Sequence, residues 1–254
     1  FGPAMNAAQG VAAQASNIIN QFSSNFQVAL NPQITKSYAQ NDLENMHKLM
    51  NRSAKFSYYL MLVMAVPMFC EAELLLKVWL GNVPDHAVSF MRLSLFCSMV
   101  VAMNNPQVKA ALAYGNIRNY QFVVYGIQLL ICPVLYISYK LGAPPEMAQV
   151  VFLLFIFLSM LASAYLLQSM IQYDFKYFIK NIVLKILLIT FISFIIPLLL
   201  CVFINESWQR LIIVSIVSVS YIIPIIYFLG LDASEKLFIR NIVRNQILKK
   251  FSKI

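Results

Sequence analysis

Asn6, Gln9, Gln14, Asn17, Asn20, Gln21, Ser24, Asn25, Gln27 and Asn31 all fall in one uncharged stretch between Ala4 and Asn31. Carboxamides and hydroxyls do no acid–base work near neutral pH, so the chemistry they offer is hydrogen bonding, to neighbouring helices or to a polyhydroxylated ligand. At 100° per residue these positions share roughly 160° of arc, while Ala15, Ile18, Ile19, Phe22, Phe26 and Leu30 take the remainder. A helix so divided cannot face lipid all round, because an unpaired amide in hydrocarbon costs kilocalories. One amide alone reads as interhelical glue. The row as a whole reads as the lining of an aqueous pathway.

Two cations stand inside apolar sequence. Arg92 lies in SFMRLSLF and Lys109 in NNPQVKAALAYG, with Asn104, Asn105 and Gln107 beside the latter at Pro106. Seventeen residues of helix separate the cations by about 25 Å, one near each membrane face. There they snorkel to the headgroups or offer stations to an anionic substrate. The ten carboxylates, Asp42, Glu44, Glu71, Glu73, Asp85, Glu146, Asp174, Glu206, Asp232 and Glu235, all fall in loops or at span ends. With no paired acid and base, metal-ligand cluster or phosphate-cradling glycine loop, the chain does not read as an enzyme, and no cofactor or metal is expected.

The elements that must hold these groups follow from composition. Of 254 residues 60% are hydrophobic and 11% charged, and mean hydropathy is +0.71, which excludes an ordinary soluble domain. Apolar runs long enough to span occur near 56–74, 87–113, 119–139, 147–170, 182–204 and 210–230. With 4–31 they make about seven spans, and continuous runs such as VVFLLFIFLSMLASAYLL require helices rather than barrel strands. The fold class is an all-α polytopic transmembrane bundle over 1–231. Residues 232–254 form a basic tail, read as an amphipathic helix on the inner leaflet. The net charge of +9 follows the membrane rather than pointing to nucleic acid. Fifteen Lys and Arg fall in alternate loops and the tail, against only Lys77, Arg92, Lys140 and Arg210 on the other side. That bias puts the first long loop and the C-terminus in the cytoplasm.

Pro67, Pro106, Pro133, Pro197 and Pro224 fall in or near the ends of five spans, a pattern that favours a moving machine over a static anchor. Cys70, Cys97, Cys132 and Cys201 are scattered singly and read as small core residues; His47 and His86 read as surface loop histidines. The opening Phe1-Gly2-Pro3 has neither an initiator Met nor a signal-peptide charge pattern, and reads as a slice through a longer protein.

The runs FGPAMNAAQGVAAQ, NQFSSNFQVALNPQITKSYA, LLLKVWLGNVP, AYGNIRNYQ and LGAPPE resemble the C-terminal half of bacterial polysaccharide biosynthesis proteins. These are the Wzx-type O-antigen flippases of the multidrug/oligosaccharidyl-lipid/polysaccharide exporter superfamily. The resemblance covers essentially the whole chain and implies spans eight to fourteen of a MATE-like transporter, its N-terminal lobe lying elsewhere in the same chain. It further implies a bacterial inner membrane location and alternating access. The implied cargo is a polyprenyl-diphosphate-linked oligosaccharide, with membrane lipids and polysaccharide assembly proteins as partners. On that reading Gln14, Asn17, Asn20, Gln21, Ser24, Asn25, Asn104 and Asn105 meet sugar hydroxyls, and Arg92 and Lys109 the diphosphate. Relatives carry a basic residue where this chain has Gln9, which removes one cationic contact. A multidrug or cation-coupled exporter of the same superfamily is the alternative, and would need acidic residues within spans.

Overall fold

The computed structural model describes residues 2–237 and Arg240. Among them the chain is all-α, in the order α1 (Pro3–Ala39), α2 (Leu43–Cys70), α3 (Ala72–Leu80), α4 (Ala87–Tyr114), α5 (Arg118–Leu129), α6 (Ile131–Lys140), α7 (Met147–Ile171), α8 (Phe175–Tyr177), α9 (Leu184–Phe203) and α10 (Trp208–Ile225). Two π-helical segments, Phe178–Val183 and Ile226–Gly230, continue α8 into α9 and extend α10. Among the described residues six helices are long and apolar enough to cross a membrane: Leu43–Cys70, Ala87–Tyr114, Arg118–Lys140, Met147–Ile171, Phe175–Phe203 and Trp208–Gly230. At 37 residues α1 is long enough as well, about 55 Å, but its amides dilute its hydropathy.

Local chemistry sets the ends. Asp42 caps α2 by accepting from Asn45 N–H at 3.0 Å, Asp174 caps α8 from Tyr177 N–H, and Ser207 caps α10 from Arg210 N–H. Gly81 and Gly115 stop α3 and α4 with φ of 70° and 90°, a region closed to most side chains. The expected 56–74 span therefore ends earlier: α2 stops at Cys70, and LLLKVWL forms the separate short helix α3.

The core gathers around α2, whose Met50, Tyr58, Met61, Leu62 and Val66 pack with Met99 and Met103 of α4, Met160 and Leu167 of α7, and Ile186 and Ile189 of α9. A second cluster sets Ala8, Ala12 and Ala15 of α1 against Ala72, Leu76, Phe90 and Met91. Over its first turns the contact face of α1 is thus made of small residues, and farther along it is Ile19, Leu30 and Ile34. The helix Arg118–Lys140 is peripheral, with 6% of its apolar window buried against 61% for α2.

Several single-residue readings need correction. Cys70 and Cys97 are buried as expected, but Cys132 is exposed on the peripheral helix α6. His47 is not in a loop: it lies half-buried in α2, its Nε2 at 2.9 Å from the Ile171 carbonyl. His86 does sit in a loop, where it pairs with Glu146 and joins two connections. The amphipathic reading of 232–254 falls largely outside the described residues; residues 233–237 are helical.

Candidate functional site

α1 divides its amides between two tasks. Along one edge of the row they bind neighbours: Asn20 Nδ2 donates to Ser98 Oγ at 3.2 Å, and Gln149 Nε2 donates to Gln9 Oε1 at 2.7 Å. Gln27 is the hub. Its Nε2 donates to Ser57 Oγ at 2.9 Å and to the Ala102 carbonyl at 2.7 Å, while its Oε1 accepts from Asn105 Nδ2 at 3.1 Å. The Ala102 carbonyl has a physical reason to need that donor, because Pro106 four residues on has no N–H to give it. A buried amide from α1 thus fills the vacancy that a proline opens in α4.

Replacing Gln27 with Leu is expected to leave Ala102 O and the Asn105 amide unpaired. The loss should be roughly 1–3 kcal/mol of stability, the cost of stranding a buried polar group. Thermal unfolding of the purified protein in detergent checks this; an unchanged midpoint would mean that water replaces the amide.

The centre of the row is open. Gln14, Asn17, Gln21, Ser24 and Asn25 are exposed, and within the row Gln21 Nε2 donates to Asn25 Oδ1 one turn on. Ile18 and Phe22, also exposed, form the apolar flank on the far side, with Ile18 facing Met68, Leu75 and Trp79. The exposed arc therefore has a polar half beside α4 and an apolar half beside α3.

The α1–α4 register is fixed by two bonds, Asn20 to Ser98 and Asn105 to Gln27, both joining residues 78 apart. Both steps are seven residues, the repeat of parallel helices that cross at a shallow angle. That register places Lys109 level with Asn31 and Arg92 level with Gln14. Their rotations differ: Lys109 lies about 20° from Ser98 on the wheel, on the α1-facing side, whereas Arg92 lies about 120° away. Arg92 is turned to α2 instead, its Nε donating to the Phe69 carbonyl at 3.0 Å and its guanidinium stacking over the Phe69 ring. The structure therefore groups Lys109 and Asn105 with the amides of α1 and keeps Arg92 apart. Asn104 is half-buried, with its Oδ1 enclosed and unpartnered.

Between Cys97, which contacts Gln149 of α7, and Ser98, which faces α1, runs a strip of α4 that opens along its length. Ser94 and Ser98 are 7% and 9% exposed, Val101 is 40% and Leu112 48%. The strip is closed where Gln9 meets Gln149 and open toward the end that carries Lys109. In that open direction lie an amide wall, a partly polar floor and an exposed cation.

Two charge clusters tie the rest together, and neither is visible as a pair in the sequence. At one end Glu71, fully buried, takes both Nε and Nη2 of Arg210 at 2.9 Å. At the other, Lys55 of α2, 2% exposed, binds Asp232 and Glu235 at 2.7 Å each, and Lys185 of α9 binds Asp232 at 2.8 Å. In the sequence Lys55 stands just before the apolar run 56–74 and Asp232 and Glu235 follow the last run; burial unites them. Among the described residues no group of three or more His, Cys, Asp or Glu is placed to hold a metal ion.

No family model matches the chain, and neither the curated proteins nor the solved structures give a match.

Proposed function

We propose that this chain is the C-terminal lobe of a lipid-linked oligosaccharide flippase of the MATE-like exporter superfamily, moving polyprenyl-diphosphate-linked repeat units across a bacterial inner membrane. The observation that carries the reading is the open row Gln14, Asn17, Gln21, Ser24 and Asn25 on α1, within a bundle whose other long helices are apolar. In a membrane such a row is stable only against water, another polar helix face or a polyhydroxylated cargo. Carboxamides both donate and accept, as sugar hydroxyls do, so the row binds without demanding one sugar. Lys109, exposed beside the open end of the strip, supplies the positive charge that a diphosphate needs. Arg92, turned to Phe69, serves the packing of α2 against α4 in this conformation. The Lys and Arg bias supports an open end facing the cytoplasm, the side on which such cargo is made. The remaining lobe of the transporter would close the route opposite α1.

Cysteines at Asn17, Gln21 and Ser24 of the whole protein are expected to react with aqueous thiol reagents severalfold faster than ones at Ile18 and Phe22, because maleimide chemistry needs a hydrated thiolate. Leucine at the same three positions should abolish surface polysaccharide while the protein stays in the membrane. Equal labelling of the two sets would reduce the row to interhelical glue. Efflux of a cationic drug with polysaccharide unaffected would move the assignment to the multidrug branch.

A further inference from the structure

α10 and the π-helical segment that extends it run beside α2 and leave between them an outward-opening groove of about 240 Å³. Buried Tyr59 and Leu231 form its floor, and exposed Leu60, Ile223 and Tyr227 form its rim. It follows α2 from Phe56 to Val63, about 10 Å of helix, and no charged side chain lines it. Phe56 also packs on Phe26 of α1, ring centroids 5.8 Å apart, and so stands between the groove and the amide row. An apolar slot of this shape suits a hydrocarbon chain.

One end of the slot is cationic. Lys55 adjoins Phe56 in α2, and its pairing with Asp232 and Glu235 brings the segment after α10 to that end. There the Lys236 ammonium stands over the Tyr227 ring, 5.5 Å from its centroid, and donates to the Phe228 carbonyl at 3.3 Å. The carboxylates beside it are already taken, Asp232 by Lys55 and Lys185, and Glu235 by Lys55. Those four charges cancel, so Lys236 adds a positive charge that no ion pair among the described residues answers. Arg240, exposed and helical, follows four residues on, the spacing that sets two side chains on one helix face. Like charges one turn apart repel, and an anion held between them relieves the repulsion.

We infer that this groove is a binding site for one anionic phospholipid, an acyl chain lying between α2 and α10 and the headgroup phosphate held by Lys236 and Arg240. A hydrocarbon slot that ends at two unneutralised cations matches both parts of that molecule. The bilayer supplies it continuously, so the site is filled wherever anionic lipid is present. Once bound, the lipid ties the segment after α10 to the groove and adds to the hold that Lys55 has on it. Neither the orientation nor the cargo proposed above bears on this site.

The test is lipid binding to the whole purified protein, delipidated in detergent and read by native mass spectrometry, with phosphatidylglycerol and phosphatidylcholine of identical acyl chains as probes. One phosphatidylglycerol should bind roughly tenfold more tightly than phosphatidylcholine, as two basic residues near a headgroup allow. Lys236→Gln with Arg240→Gln should remove that preference and leave phosphatidylcholine binding unchanged. Leu60→Trp, which fills the groove from its exposed rim, should weaken both. Phosphatidylglycerol with a diazirine in its acyl chain should label the unaltered protein on peptides containing Leu60 or Ile223, a readout that needs no variant to fold. Equal binding of the two lipids, or labelling confined to other helices, would overturn the proposal. So would complete displacement of phosphatidylglycerol by an equal amount of a polyprenyl phosphate, which would give the groove to the cargo, or by glycerol phosphate, which would reduce it to a surface anion patch.

Discussion

Replacing Glu71 with Gln is expected to destabilise the protein by about 3–5 kcal/mol, the range seen when one partner of a buried ion pair is removed. The carboxylate side chain has no exposure and Arg210 only 13%. Both oxygens of Glu71 are used, by Arg210 Nε and Nη2 at 2.9 Å, a two-pronged geometry that only arginine supplies. A glutamine offers one neutral oxygen and turns an NH2 toward the guanidinium, leaving Arg210 with that oxygen and the Ile204 carbonyl at 3.3 Å and no counter-charge. Arg210→Lys keeps the charge but loses the fork, so its loss should be smaller than that of Glu71→Gln. Replacing both by apolar residues, Glu71→Leu with Arg210→Met, should cost less than either single change that strands a charge, since desolvation then disappears with attraction. Thermal or denaturant unfolding in detergent measures all three. If Glu71→Gln melted with the unaltered protein, the pair would be idle and the α2–α3 junction would be held by packing alone.

The position of that pair explains its weight. Glu71 is the single residue between α2 and α3, and its N–H closes α2 on the Pro67 carbonyl while its own carbonyl begins α3. Arg210 lies in the first turn of α10, just after the Ser207 cap. One buried ion pair thus connects the α2–α3 corner to the α9–α10 hairpin, beside the more exposed Lys77–Glu206 pair at 3.4 Å and the Tyr58–Thr190 hydrogen bond at 3.0 Å.

What the sequence disclosed follows from which signals are periodic. The apolar spans and the amide row of α1 are one-dimensional patterns, and the fold class and the exposed positions Asn17, Gln21 and Ser24 could be read directly from them. Contacts between distant residues are not periodic. Glu71 and Arg210 look unrelated because the chain makes four further crossings before returning, and Lys55 looks like a loop cation because helix α2 begins earlier than its hydropathy. Arg92 misleads for a subtler reason: depth along a helix follows from residue count, but facing depends on the neighbour, and only the 78-residue register with α1 reveals that Arg92 turns away. One clue to such a contact does lie in the sequence. A proline at position 106 leaves the carbonyl of Ala102 without its helical donor, so a buried amide such as Gln27 had to be sought nearby.

The charge cluster at the other end makes the second large prediction. Lys55 is almost fully enclosed, and an unpaired ammonium there would be intolerable, so the segment after α10 is drawn onto α2 to neutralise it. Asp232 N–H donates to Glu235 Oε2 at 2.9 Å, which orders the turn that presents both carboxylates. Asp232→Asn with Glu235→Gln removes both counter-charges from Lys55 and should cost about 3–5 kcal/mol. Adding Lys55→Met to that pair should recover much of the loss, because no charge then remains buried. The titration has a definite sign. Burial pushes the Asp232 carboxyl upward, but the hydrogen bonds from Lys185 and Lys55 and their positive charges outweigh it and hold the group below the ordinary aspartate value. A carboxyl lowered on folding stabilises fully above its unfolded value, about 3.9, and that contribution is lost as pH falls through the folded value. The melting temperature should therefore hold steady from neutral pH to about 4 on this group's account and fall below it. In Asp232→Asn that acid-side fall should be shallower. An acid limb identical in the variant would show that Asp232 carries no linkage, and a stable double variant with Lys55 intact would show that water reaches the ammonium.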